Sequence, residues 1–188
     1  MSDMNEKIKS YVYGIRDVSS AVRNAIVEID KNIADMQRQD AYSEQYREDY
    51  NKRMQSKRKD EISKGLKQTE ELTEKYKADV NDYFIPKGEE LTGDVSLFTS
   101  GISLTHEQLE NMVERYKGNQ TMTQLIYDYA ESHGISMINP GKQVKNDMLH
   151  LADVMMSYYR SVVYRPEFSD IWFNDDYVNG IFDDLLVK

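Results

Sequence analysis

The chain contains no cysteine. Disulfides, thiolate metal sites and thiol nucleophiles are excluded, which suits a reducing compartment. Proline occurs 3 times and glycine 9 times, so little in the sequence stops a helix once it has started. No run approaches the roughly 20 apolar residues that a bilayer-spanning helix requires. Met1 to Ser10 also lacks an apolar signal-peptide core, and a cytoplasmic location without membrane insertion is expected. Positive charge is in deficit too, with 24 Lys+Arg against 33 Asp+Glu. No basic stripe offers itself to phosphates, which argues against nucleic-acid binding.

What the sequence has is helix-forming, polar material: 39% apolar and 30% charged residues in a chain of 188. That length fits one domain, or a smaller domain with an extended arm. The charge is unevenly spread. Residues 1–83 carry 16 Lys+Arg against 17 Asp+Glu, net −1, and the remainder 8 against 16, net −8. A near-neutral arm is followed by an acidic body.

From Ile8 to Met36 the apolar residues alternate steps of four and three. Written as heptads, Ile8, Ile15, Val22, Ile29 and Met36 occupy d, while Val12, Ser19, Ile26 and Ile33 occupy a, which is the seam of a coiled coil. The frame fails at Asp40. Residues 37–61 then offer only Tyr42, Tyr46, Tyr50 and Met54 as an apolar stripe, spaced at i, i+4 among charged neighbours. Packing resumes in a frame offset by two, through Ile62, Leu66, Thr69, Leu72 or Thr73, Tyr76, Val80 and Tyr83.

Two arrangements fit this pattern. One is an uninterrupted helix of residues 1–83, roughly 120 Å long, self-associating in an oligomer. The other is a hairpin turning within Arg38 to Glu44, which folds the second seam onto the first. With no Gly or Pro from Ile15 to Lys64, the balance tips slightly towards the rod.

Phe84-Ile85-Pro86-Lys87-Gly88 ends the first helix system, because the residue before Pro is pushed out of the helical region. A loop follows, with one short turn or strand at Val95 to Phe98. Thr105-His-Glu-Gln108 is a capping box opening a helix with Leu109, Met112, Val113 and Tyr116 on one face. That helix ends near Lys117-Gly118. A second such spacing, Thr121 to Gln124, is expected to open the next, which carries Leu125, Ile126, Tyr129 and Ala130 and stops at Gly134. Asn139-Pro140 caps a helix over about Pro140 to Tyr164, with Val144, Met148, Leu151, Met155, Tyr159 and Val162 inward. Arg165-Pro166, an aromatic cluster at Phe168, Ile171, Trp172 and Phe173, and a short helix over Asp175 to Val187 complete the expected order.

Catalytic or metal chemistry finds little support. His106, His133 and His150 stand far apart without ligand spacing, and helix capping and packing account for them. The carboxylate pairs Glu89-Glu90, Asp175-Asp176 and Asp183-Asp184 read as solvated or capping residues. No phosphate loop or nucleophile elbow is present. The segment Thr121 to His133, as a DNA-reading helix, presents acids and no Lys or Arg. No cofactor is expected. Tyrosine, at 14 residues against 5 Phe, points instead to protein surfaces, where it buries area at modest entropic cost.

The block Leu104 to Ile135, LTHEQLENMVERYKGNQTMTQLIYDYAESHGI, preceded by ELTGDVSLF, resembles segments of structural or morphogenesis proteins encoded by phages and prophages of Gram-positive bacteria. The likeness rests on the LT-x-E-x-L helix start, Arg115-Tyr116, Asn119 to Thr121, and Tyr129-Ala130 before His133-Gly134. It implies head assembly or a virion structural role, a capsid or other phage structural protein as partner, and a bacterial cytoplasm or virion as location. The acidic C-terminus departs from the basic docking helix usual in scaffold proteins.

The expectation is thus an all-α, non-enzymatic assembly protein: a coiled-coil arm or hairpin over 1–84, a linker over 85–103 and an acidic helical domain over 104–188. Self-association is expected through Ile8, Val12, Ile15, Val22, Ile26, Ile29, Ile33 and Met36, and partner contact through Tyr42, Tyr46, Tyr50 and Met54. The alternatives are a monomeric helical binding module and a prophage DNA-associated regulator.

Overall fold

A computed structural model describes residues 2–164. The expected aromatic cluster at Phe168 to Phe173, the last short helix and the acid pairs at Asp175-Asp176 and Asp183-Asp184 lie outside the described residues. Every regular element within them is helical: α1 (Ser2–Gln37), α2 (Glu44–Tyr83), a 3-10 turn (Gly88–Glu90), α3 (Val95–Thr99), α4 (His106–Arg115), α5 (Gln120–Ser132) and α6 (Pro140–Tyr164). Among these residues no helix is long and apolar enough to cross a membrane.

The described chain forms two compact units, one of residues 2–77 and 150–164, the other of residues 78–149. In the first, the long-helix question resolves as the hairpin. Tyr11 meets Tyr76 edge-on at 5.7 Å, Gly14 faces Leu72, Val22 packs on Gly65, and Asp30 pairs with Arg58 at 3.7 Å. The paired numbers sum to 86–88 throughout, as an antiparallel register demands. The slight preference for a rod fails because a turn does not need Gly or Pro when side chains can satisfy the helix ends. Ser43 Oγ accepts from the Tyr46 N–H at 3.3 Å, and the Arg47 guanidinium donates to the Gln37 carbonyl at 3.3 Å.

The seam expected for self-association lies inside this unit. Ile8, Val12, Ile15, Val22, Ile26 and Ile29 are buried, and Ile33 and Met36 half-buried. Opposite them, Thr73 rather than Leu72 takes the core position. The buried hydroxyls of Ser19, Thr69 and Thr73 donate to carbonyls four residues back, at 2.7, 2.9 and 2.8 Å, so their burial leaves no donor stranded. The C-terminal part of α6 completes the bundle: Tyr159 and Val163 pack on Val22 and Ile26. Gly65 on α2 lies tight against both α1 and α6. A Cβ there would collide with Val22 and stand 2.6 Å from Tyr159 Oη.

In the second unit α4 and α5 bury Leu109, Met112, Ile126, Tyr129 and Ala130, with Leu97, Phe98 and Leu104 packed against them. The capping box at Thr105 and Gln108 forms as expected. At the other end of the pair, Ile135 N–H reaches the Ala130 carbonyl at 2.8 Å past Gly134, whose φ is +69°. That is a Schellman stop, and its C″ residue Ile135 joins the core. Asn139 caps α6, accepting from the Lys142 N–H at 3.0 Å. The second expected box does not form. Asn119 caps α5 instead, accepting from Met122 N–H at 2.9 Å, because Thr121 is buried and bonded elsewhere.

Candidate functional site

The hairpin tip is built by its own side chains. Once Ser43 starts α2, Tyr42 and Tyr46 fall on one side of the turn and stack, with centroids 5.0 Å apart and planes at 19°. They are 41% and 43% exposed, so two aromatic rings stack on each other and stay open to water. Tyr50 follows, half-buried, with the Arg53 guanidinium 6.0 Å from its ring centroid, a weak cation–π contact. Met54 is half-buried as well, in register with Ile33. The four residues expected to contact a partner therefore grade from solvent into the hairpin rather than forming one exposed stripe.

Several side chains of the second unit fasten its linker. Lys87 N–H donates to Thr121 Oγ1 at 2.8 Å, and the Thr121 hydroxyl donates to the Glu90 carboxylate at 2.6 Å. Asn119 Nδ2 donates to the Glu90 carbonyl at 2.8 Å, and Gln120 Nε2 to the Tyr83 carbonyl at 3.1 Å. Asp94 accepts from Tyr116 Oη at 2.6 Å and from Arg115 at 3.0 Å. Thr121, read from sequence as a cap, is thus a clasp on residues 87–90. The helix starts two residues earlier than the expected box, at the Asn119 cap.

The same unit has an open cleft of about 540 Å³ lined by Tyr127, Glu131, Ile138, Asn139, Lys142 and Asn146, among others. Its one cation and one acid neutralise each other, Lys142 Nζ standing 3.3 Å from Glu131 Oε1. The histidines are dispersed, with His106 near Glu110, His133 stacked on Tyr129 at 3.9 Å and His150 near Asp153. Among the described residues no three potential ligands gather as a metal site would need. On α5 the side chain of Gln124 is spent on Asp128 at 2.7 Å.

Two tip residues escaped the sequence reading: Ser43 as the cap of α2 and Arg47 as the clamp on the end of α1. The signal was present in Ser43-Glu44, a cap followed by an acid in the first helical turn. No protein-family model matches this chain, and no curated protein or solved structure matches it.

Proposed function

We propose that the chain is a non-enzymatic helical assembly protein, of the phage or prophage structural kind, that docks a protein partner through the tip of its N-terminal hairpin. The observation that carries this reading is the exposed Tyr42–Tyr46 stack. Its rings supply contact area at low entropic cost. The seam offers less to a partner, since its residues from Ile8 to Ile29 are covered within the chain. The resemblance over residues 90–135 supports the phage setting, with a capsid or other structural protein as partner.

A photo-crosslinking side chain placed at Tyr46, in cells expressing the full chain, tests the reading. Adducts to one defined protein are expected there and not from the same group at exposed Gln68. Equal adducts at both positions, or none at Tyr46, contradict it.

A further inference from the structure

Near the hairpin tip one face of α2 joins aromatic rings to cations. At 100° per residue, Tyr46, Tyr50, Arg53 and Lys57, spaced by four, three and four, fall within about 60° of one another. Glu44 and Glu48 lie on the other side of the helix. Tyr46, Arg53 and Lys57 are exposed and Tyr50 is half-buried. With Tyr42 stacked on Tyr46, three rings lead into two cations. Neighbouring cations are already occupied: Lys52 pairs with Asp49 at 3.9 Å and Arg58 with Asp30 at 3.7 Å. Arg53 and Lys57 have no carboxylate partner among the described residues. Arg53 Nε donates to the Asp49 carbonyl of its own helix at 3.4 Å, and its guanidinium stands 6.0 Å from the Tyr50 ring centroid. The two terminal nitrogens are left for an acceptor, in the fork that suits a carboxylate. Arg53 and Lys57 are also like charges at i, i+4, an arrangement that weakens an isolated helix and that an anion relieves.

An occupant complementary to this face brings carboxylates to the cations and apolar area to the rings. Arg53 and Lys57 stand one turn apart, about 6 Å along the axis, which is the spacing of acids at i, i+4 on a facing helix. We infer that this face docks an acidic helical segment of another protein, whose two carboxylates meet Arg53 and Lys57 and whose adjoining apolar side chains cover Tyr46 and Tyr50. The inference rests on reading the tip as a docking surface and gives the chemistry of its partner. A nucleic-acid strand would follow a longer line of cations. Here Asp60 and Glu61 close the line one turn beyond Lys57, in a chain of net charge −9. Two exposed ion pairs and a few rings make a small contact, so binding is weak and salt-sensitive.

Fluorescence anisotropy of three labelled helical peptides titrated with the full chain tests it. The peptides share one leucine stripe and differ only in carrying Glu, Gln or Lys at two positions one turn apart. The Glu peptide is expected to bind about tenfold more tightly than the Gln peptide, and to lose that margin at high salt. Arg53→Glu with Lys57→Glu should abolish the margin and transfer the preference to the Lys peptide. Lys52→Glu with Lys59→Glu makes the same change of charge on another side of α2, and should leave the affinity for the Glu peptide within about twofold. Helical circular dichroism should be unchanged in both variants. Equal binding of the three peptides, an equal loss from both pairs of substitutions, or an oligodeoxythymidine that outcompetes the Glu peptide overturns the inference. If the peptides are not discriminated while Tyr46 still crosslinks to one defined protein, the acidic assignment fails and the docking function stands. Failure of both removes the two together.

Discussion

Gly65 shows how far one residue's role depends on its neighbours. In an exposed helix, Gly→Ala gains about 1 kcal/mol. At Gly65 the added methyl meets Val22 and Tyr159, so Gly65→Ala is expected to destabilise by roughly 1–3 kcal/mol in thermal unfolding. Gly88→Ala, facing open space, should change stability by under about 0.5 kcal/mol. Tyr159 gives a pH signature. Burial, and then the charge of Tyr164, push its hydroxyl up from 10.0 to about 12. A group whose folded value is raised favours the fold fully below its unfolded value, so this contribution holds below pH 10 and is lost as pH rises towards 12. Tyr159→Phe also deletes the 2.7 Å bond to the Ile62 carbonyl. It should cost about 1 kcal/mol at neutral pH and flatten the alkaline fall in stability followed by denaturant titration. Tyr159 was legible as an inward residue from its spacing on α6. Gly65 was not, because the side chains that make it indispensable come from α1 and α6.

At the scale of elements, helix starts and stops were largely written locally. Thr105-Gln108, Asn139-Pro140, Phe84-Ile85-Pro86 and Gly134 each act through bonds or backbone restrictions spanning a few residues, and each marks the expected end. The failure at Thr121 was of another kind. Two caps competed within three residues, and the outcome was set by Lys87 and Glu90, more than 30 positions away. The two roles separate experimentally. Asn119→Ala should lower stability by about 1 kcal/mol, as expected for a lost cap. Thr121→Val should leave the α5 amides protected while the Lys87 amide exchanges faster, as read by hydrogen exchange. Equal protection loss along α5 in both variants would contradict the assignment.

For the whole molecule, the heptad seam identified a packing surface without identifying what packs on it, since a second copy, the next helix and a later helix all satisfy the same apolar spacing. The frame offset marks two packing segments and leaves their relation open. In an antiparallel pair each helix presents its own face at its own register, so no common frame is needed. Six residues, 38–43, then sufficed for the turn, and they leave Tyr42 and Tyr46 in water. The claim that the seam is filled within one chain bears on every functional statement above. The absence of cysteine makes it directly measurable, since Cys introduced at exposed Glu28 and Lys59 carries the only spin labels. Electron–electron dipolar spectroscopy should give a distance near 20 Å, set by helix spacing of 8–10 Å plus label reach, and unchanged on dilution with unlabelled chain. A distance of roughly 45 Å, the length of a continuous helix between these positions, or a short distance that vanishes on dilution, would contradict the account.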